Sequence, residues 1–86
     1  AGWYVVLCTL LPSTASGFNT ARNTVNTEIR TWVGDHCDAL CDFAGDATMG
    51  PDAAASDTNL YSDGTHPTAT GQANLEAIIR PILNAI

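Results

Sequence analysis

The chain has 86 residues, enough for one small domain at most, and 45% of them are hydrophobic against 14% charged, the balance of a packed segment rather than a disordered one. Seven Asp and two Glu face three Arg and no Lys, a net charge of −6, so the clustered cations that nucleic acid or an anionic membrane would need as a partner are missing. No apolar run approaches the roughly 20 residues that span a bilayer.

The apolar run from Trp3 to Leu11 has the length of a signal-peptide core but no basic flank, and reads as a buried strand instead. Within it Trp3 to Leu10 (WYVVLCTL) is almost continuously apolar and rich in β-branched residues, and Leu11-Pro12-Ser13 closes it. Strands covered on both faces of a parallel sheet have this pattern, whereas half-exposed antiparallel strands alternate. Trp3, Tyr4 and Trp32 are expected in the core, the more frequent place for such aromatics than a carbohydrate platform.

A loop rich in Ser, Thr and Gly runs through Gly17. Phe18, Ala21, Val25, Ile29, Trp32 and Val33 then fall at helical spacing, which predicts an amphipathic helix over Asn19 to Val33. Gly34 stands where a left-handed C-terminal cap belongs. A short second strand is expected at Ala39 to Phe43, and Met49 to Asn59, rich in Pro, Gly, Asp and Ala, reads as a surface loop.

The last element has the clearest pattern. Thr68 after Pro67 is a candidate N-cap. Leu75, Ile78, Ile79, Ile82, Leu83 and Ile86 form one apolar stripe, and Pro81 within it predicts a kink. Strand, helix, strand, helix is the grammar of a parallel α/β sheet with right-handed crossovers. Two strands covered on both faces need neighbours that two helices do not supply, so the unit is expected to be incomplete by itself. Ala1 stands in place of an initiator Met and is read as a product of processing or cleavage, or the edge of a longer chain.

Cys8, Cys37 and Cys41 are odd in number and match no disulfide framework; all three are expected as free thiols, Cys8 and Cys41 in buried strands. His36, Cys37 and Cys41 supply three potential zinc ligands in a row, one short of a closed site and without tight-turn Cys pairs, so no metal is assigned. No cofactor is expected.

Chemistry concentrates in Tyr61-Ser62-Asp63-Gly64-Thr65-His66-Pro67, the loop ahead of the last helix. An Asp three residues before a His on a turn can fold its carboxylate back onto the imidazole Nδ1–H. That bond fixes the tautomer, leaves Nε2 free as a base, and stabilises the imidazolium formed when a serine proton is taken. Gly64 lets such a turn close by tolerating positive φ. By spacing alone the better reading is a turn-forming Asp beside a His near a helix start, because D-x-x-H is short and common.

Asp63-Gly64-Thr65-His66-Pro67-Thr68, with Gly71 one turn into the following helix, resembles the last block of the SGNH (GDSL) hydrolases. Other stretches are similar in order: the strand ending Thr9-Leu10-Leu11-Pro12, the helix carrying Arg22, Val25, Asn26, Ile29 and Arg30, and Asp38 to Ala44 as the family's last strand. The resemblance runs over essentially all 86 residues, with only the Asp63–His66 block specific. It implies the C-terminal part of a single three-layer α/β/α, flavodoxin-like parallel-sheet domain over residues 1–86. It implies ester hydrolysis with His66 as general base and then general acid, and Asp63 as its orienting carboxylate.

The family's serine lies in an N-terminal Gly-Asp-Ser, and its oxyanion hole uses that serine's N–H, a Gly and an Asn; none of these blocks is present. Gly34-Asp35-His36 follows a helix rather than a first strand, Gly17-Phe18-Asn19-Thr20 lacks the Asp of Gly-x-Asn-Asp, and Ser13, Ser16, Ser56 and Ser62 lie in no nucleophile context. The resemblance therefore implies a complementary N-terminal segment as partner, an acylated carbohydrate, lipid or other small ester as substrate, and secretion. The rival reading is a non-catalytic α/β binding or interaction module, since fold does not fix function.

Overall fold

The computed structural model describes residues 2–86. Val6–Cys8 (β1) and Ala39–Cys41 (β2) pair in parallel, with Val6 opposite Ala39, Leu7 opposite Leu40 and Cys8 opposite Cys41. The ladder is extended at both ends: the Asp38 and Ala39 N–H groups donate to the Val5 carbonyl, and the Thr9 N–H donates to the Cys41 carbonyl at 3.1 Å. Phe18–Ile29 (α1) supplies the helical crossover that a parallel pair requires, and Ala69–Asn84 (α2) follows β2 and lies against it. The result is a small α/β unit with a two-stranded parallel sheet and two helices. None of its helices is long and apolar enough to cross a membrane.

Both strands are shorter than their apolar runs. β1 stops at Thr9, whose hydroxyl donates to Asp42 Oδ1 and accepts from the Ala44 N–H, each at 2.9 Å. That junction turns the chain after β2 into a 3₁₀ segment, Phe43–Gly45, so the strand ends two residues short of the Phe43 limit expected for it. At the other end Trp3, Tyr4 and Val5 are exposed, Trp3 at 89%, contrary to the core position expected for the aromatics. The reason is local: a two-stranded sheet has an open edge beside each strand, and among the described residues Trp3, Tyr4 and Val5 ahead of β1 stay uncovered. Cys8 is half-buried rather than buried, and all three thiols are free.

α1 buries an unexpected face. Phe18, Val25 and Val33, assigned to the apolar side, are exposed, and the inward residues are Arg22, Asn26 and Ile29. The Arg22 guanidinium donates to the Leu10 carbonyl (3.0 Å), the Gly50 carbonyl (2.7 Å), Asp52 Oδ1 (2.8 Å) and Asn19 Oδ1 (3.2 Å). Asn26 brackets Leu10, accepting its N–H at 2.8 Å and donating to its carbonyl at 3.0 Å. Buried polar groups are tolerated when each finds a partner, and no buried side-chain nitrogen or oxygen among the described residues lacks one. The helix ends at Ile29, earlier than expected, and Gly34 does take a left-handed φ of +94°, but inside the following turn.

Met49, Ala54, Leu60 and Tyr61 form the apolar core, with Leu11 and Leu75 packed against it. This overturns the surface-loop reading of Met49 to Asn59. Its Ala-rich run forms a 3₁₀ segment, Asp52–Ser56, which turns Ala54 and Ala55 inward, and Met49 is wholly buried. Composition favoured a loop because small residues and turn formers dominate; three-residue periodicity in so short a piece leaves little trace.

Thr68 caps α2 as its sequence position suggests, its hydroxyl accepting from the Gly71 N–H at 3.1 Å. Leu75, Ile78, Ile79 and Ile82 are half-buried, while Leu83 and Ile86 are exposed. The helix continues through Pro81 to Asn84.

Candidate active site

The loop Ser62–His66 is pinched closed beneath its tip. Tyr61 and Pro67 form an antiparallel bridge, the Ser62 N–H donates to the His66 carbonyl at 2.9 Å, and the Thr68 N–H donates to the Leu60 carbonyl at 2.9 Å. Below the loop Tyr61 is fully buried, its hydroxyl donating to the Met49 carbonyl at 2.9 Å. Behind it Thr68 is doubly used, because its hydroxyl also donates to the Asn59 carbonyl at 2.6 Å. The loop therefore stands on the apolar core on one side and on the start of α2 on the other.

Within the loop Asp63 organises the backbone. Its Oδ1 accepts the Thr65 N–H at 3.0 Å and the His66 N–H at 2.8 Å, a side-chain-closed turn of the kind Asp favours. Its Oδ2 lies 2.6 Å from His66 Nδ1. The His66 N–H, then the imidazole, then the Thr65 N–H hold the Asp63 carboxyl well below its usual range, at about 2. Asp63 is thus a carboxylate at any pH at which the imidazole can act. The ring face away from Asp63 is open, with the His66 side chain 76% exposed.

Gly64 explains why this loop has one possible shape. Its φ is +80°, and a Cβ there would sit 2.1 Å from Thr14 Oγ1. Thr14 belongs to the loop after β1, which grips the dyad turn: the Thr14 N–H donates to the Gly64 carbonyl at 2.9 Å, and Ser13 Oγ and Thr65 Oγ1 share a hydrogen bond at 2.9 Å. Ser13 is itself placed by Asn19 Oδ1, which accepts its N–H at 2.9 Å. Three parts of the sequence, residues 13–14, Asn19 and 63–66, thereby meet at one place.

Asp63 and His66 are brought together in the orientation read from sequence. No serine of the described residues completes them. Ser62 Oγ donates to the His66 carbonyl rather than the ring (3.3 Å), Ser13 is engaged by Thr65 and by the Ala15 N–H, and Ser16 and Ser56 line a separate cavity. The Cys41 thiol is no substitute: burial, then the neighbouring Cys8, push it up to about 11, which favours the protonated, weakly nucleophilic form. Nor does a metal group form, since no three His, Cys, Asp or Glu side chains converge among the described residues, and His36 packs edge-on against Trp32 at 5.7 Å between ring centroids.

Sequence reasoning passed over the grip of Ser13 and Thr14 on the dyad turn and the cavity beside it. The cavity, about 340 Å³, opens beside Ser13, Thr14 and the start of α1, and includes neither Asp63 nor His66. An imidazole aligned by a carboxylate occurs at Asp63 and His66 and not in the cavity. The one available signal was the hydroxyl-dense run Ser13-Thr14-Ala15-Ser16-Gly17, which as a sequence is also an ordinary loop. Comparison of the chain with family models, with curated proteins and with solved structures returned no match.

Proposed function

We propose that this chain supplies the Asp–His half of a serine esterase, with a second segment contributing the nucleophilic serine and the oxyanion donors. The observation that carries the proposal is the 2.6 Å contact between Asp63 Oδ2 and His66 Nδ1 on a turn whose backbone also bonds Asp63, leaving the remainder of the imidazole open. In that role Nε2 takes the proton of the serine hydroxyl as it attacks the ester carbonyl. Asp63 steadies the resulting imidazolium, and His66 returns the proton to the departing alcohol. Water then repeats the sequence on the acyl-enzyme and releases the acid. The chain belongs, in this reading, to a three-layer α/β/α sheet of the SGNH type.

The unfilled surfaces of the fold support a complementary segment. Parallel sheets occur with further strands and with both faces covered, whereas here Trp3, Tyr4 and Val5 beside β1 and Phe18 and Val25 on α1 are exposed apolar side chains. The rival reading, a non-catalytic α/β binding module, draws on the lack of any serine hydrogen-bonded to the ring. One experiment separates them. The chain is combined with an N-terminal segment bearing Gly-Asp-Ser after its first strand, and hydrolysis of p-nitrophenyl acetate is followed. Turnover that disappears with the His66→Ala variant supports the esterase. A folded assembly that is inert, or whose turnover ignores His66→Ala, leaves the binding module.

A further inference from the structure

The geometry points to the cavity after β1 as the subsite for a polyhydroxylated, uncharged group, which makes an acylated carbohydrate rather than a lipid the substrate; this rests on the esterase reading above. The cavity measures about 340 Å³, within the range of small-molecule sites, and Thr14, Ser16, Asn19, Thr20, Asp52 and Ser56 lie on its wall. Seven of the nine lining residues carry a hydroxyl, amide or carboxylate, and Ala15 is the one wholly apolar side chain among them. An acyl or alkyl chain would strip water from these groups and return no hydrogen bond. A sugar ring presents hydroxyls that both donate and accept.

Two side chains of the wall, Asp52 and Asn19, are also held in position before any ligand arrives. Asp52 Oδ1 is held by Arg22 at 2.8 Å and by Asn23 at 3.1 Å, and this ion pair offsets its charge. Asn19 Oδ1 is occupied by the Ser13 N–H and by Arg22, which turns the amide nitrogen into the group available to a ligand. An anionic ligand would meet a chain of net charge −6 with its nearest guanidinium already paired, so a neutral one fits better.

Ser13 and Thr14 connect this cavity to the chemistry. They form part of its lining and bond Thr65 and Gly64 in the dyad turn. A sugar seated there lies next to the loop that carries His66, as an ester borne by that sugar must.

The test uses the assembled two-segment protein and three probes: methyl 6-O-acetylglucoside, p-nitrophenyl acetate, and methyl glucoside, which has no ester to cleave. Thr20→Val with Ser56→Ala removes two hydroxyls that take no part in holding the dyad turn. Losing two hydrogen bonds should lower kcat/KM for the acetylated glucoside about tenfold while p-nitrophenyl acetate turnover is unchanged. Methyl glucoside should shift the amide resonances of Ser16, Thr20 and Ser56 saturably, and the double variant should weaken this equally. Hydrolysis of p-nitrophenyl acetate without any such shifts, or an equal loss on both esters, overturns the carbohydrate assignment and leaves the esterase standing. Saturable shifts in a protein that hydrolyses no ester keep the sugar site and dispose of the esterase reading instead.

Discussion

Two polar constellations in this chain are built on opposite plans. Asp63 and His66 are three residues apart, both largely exposed, and the turn between them is closed by hydrogen bonds within the same few residues. Arg22 and Asn26 are almost fully buried and bond groups as far away as Asp52, 30 residues on. The first needs little of the fold for its internal geometry; the second is a large part of what the fold consists of, since it ties α1 to the end of β1 and to the segment at Gly50. Under the esterase proposal chemistry and architecture occupy separate residues, and substitutions should separate them too.

The largest expected effect lies in the exposed pair. In the esterase assembly proposed above, Asp63→Asn leaves the turn's shape available but offers the imidazole the wrong partner, and kcat should fall by a factor approaching the ~10⁴ known for the equivalent change in a serine-protease triad. His66→Ala should be at least as damaging. Both variants should melt at the wild-type temperature, because neither side chain packs in the core. Near-wild-type turnover of an aryl ester by both would remove the catalytic assignment.

The buried constellation should behave in the converse way. Arg22→Met keeps the aliphatic volume and removes four hydrogen bonds, stranding the buried Gly50 carbonyl and leaving the Leu10 carbonyl with Asn26 alone. A loss of about 2 kcal/mol in unfolding free energy is expected, from the cost of about 1–3 kcal/mol for a buried group left unmatched. Denaturant unfolding measures it. A variant as stable as wild type but slow in turnover would mean that Arg22 serves the site, and the two plans would no longer be distinct.

How much of this was legible follows the same division. The Asp63–His66 pair could be read because its geometry is local: three residues on a Gly-containing turn bring carboxylate and imidazole together whatever lies around them. The parallel strand pair, the crossover helix and the Thr68 cap were legible too, from apolar runs and capping chemistry. The inward face of α1 was not, because hydrophobic periodicity points to Phe18 and Val25, and the burial of Arg22 and Asn26 depends on acceptors at Leu10 and Gly50 that only the folded chain supplies. Met49 was missed likewise. Its burial comes from Tyr61 and Leu75 meeting it from later in the sequence, which no window around Met49 contains.

Thr68 ties the Asp63–His66 turn to α2, since one hydroxyl caps that helix and braces the segment entering the turn. Thr68→Ala should cost about 1 kcal/mol, the usual loss of an N-cap, with Thr68→Ser recovering most of it. Thermal melts of the three proteins decide this. If Ser fails to rescue, the methyl group rather than the hydroxyl matters, and the brace is a packing contact.

The smallest effect concerns what holds Asp63 as a carboxylate. Its folded-state value is lowered from 3.8 to about 2, so between those values the unfolded chain binds more protons than the folded one. By linkage, the stabilisation from Asp63 is fully present above 3.8 and is lost as pH falls through about 2, and solvent screening at this exposed position keeps it small. The His66 backbone N–H is the first cause of the depression, ahead of the imidazole, and the Thr65 N–H also contributes. A His66→Ala variant removes the ring but neither N–H. Its Asp63 carboxyl carbon, followed by NMR, should therefore titrate between about 2 and 3.8, retaining part of the shift. Titration at 3.8 itself would mean that the imidazole shapes the turn, and that the pair is less self-contained than its hydrogen bonds indicate. A midpoint still near 2 would assign the whole effect to the backbone, leaving His66 free to cycle its proton without disturbing the carboxylate that orients it.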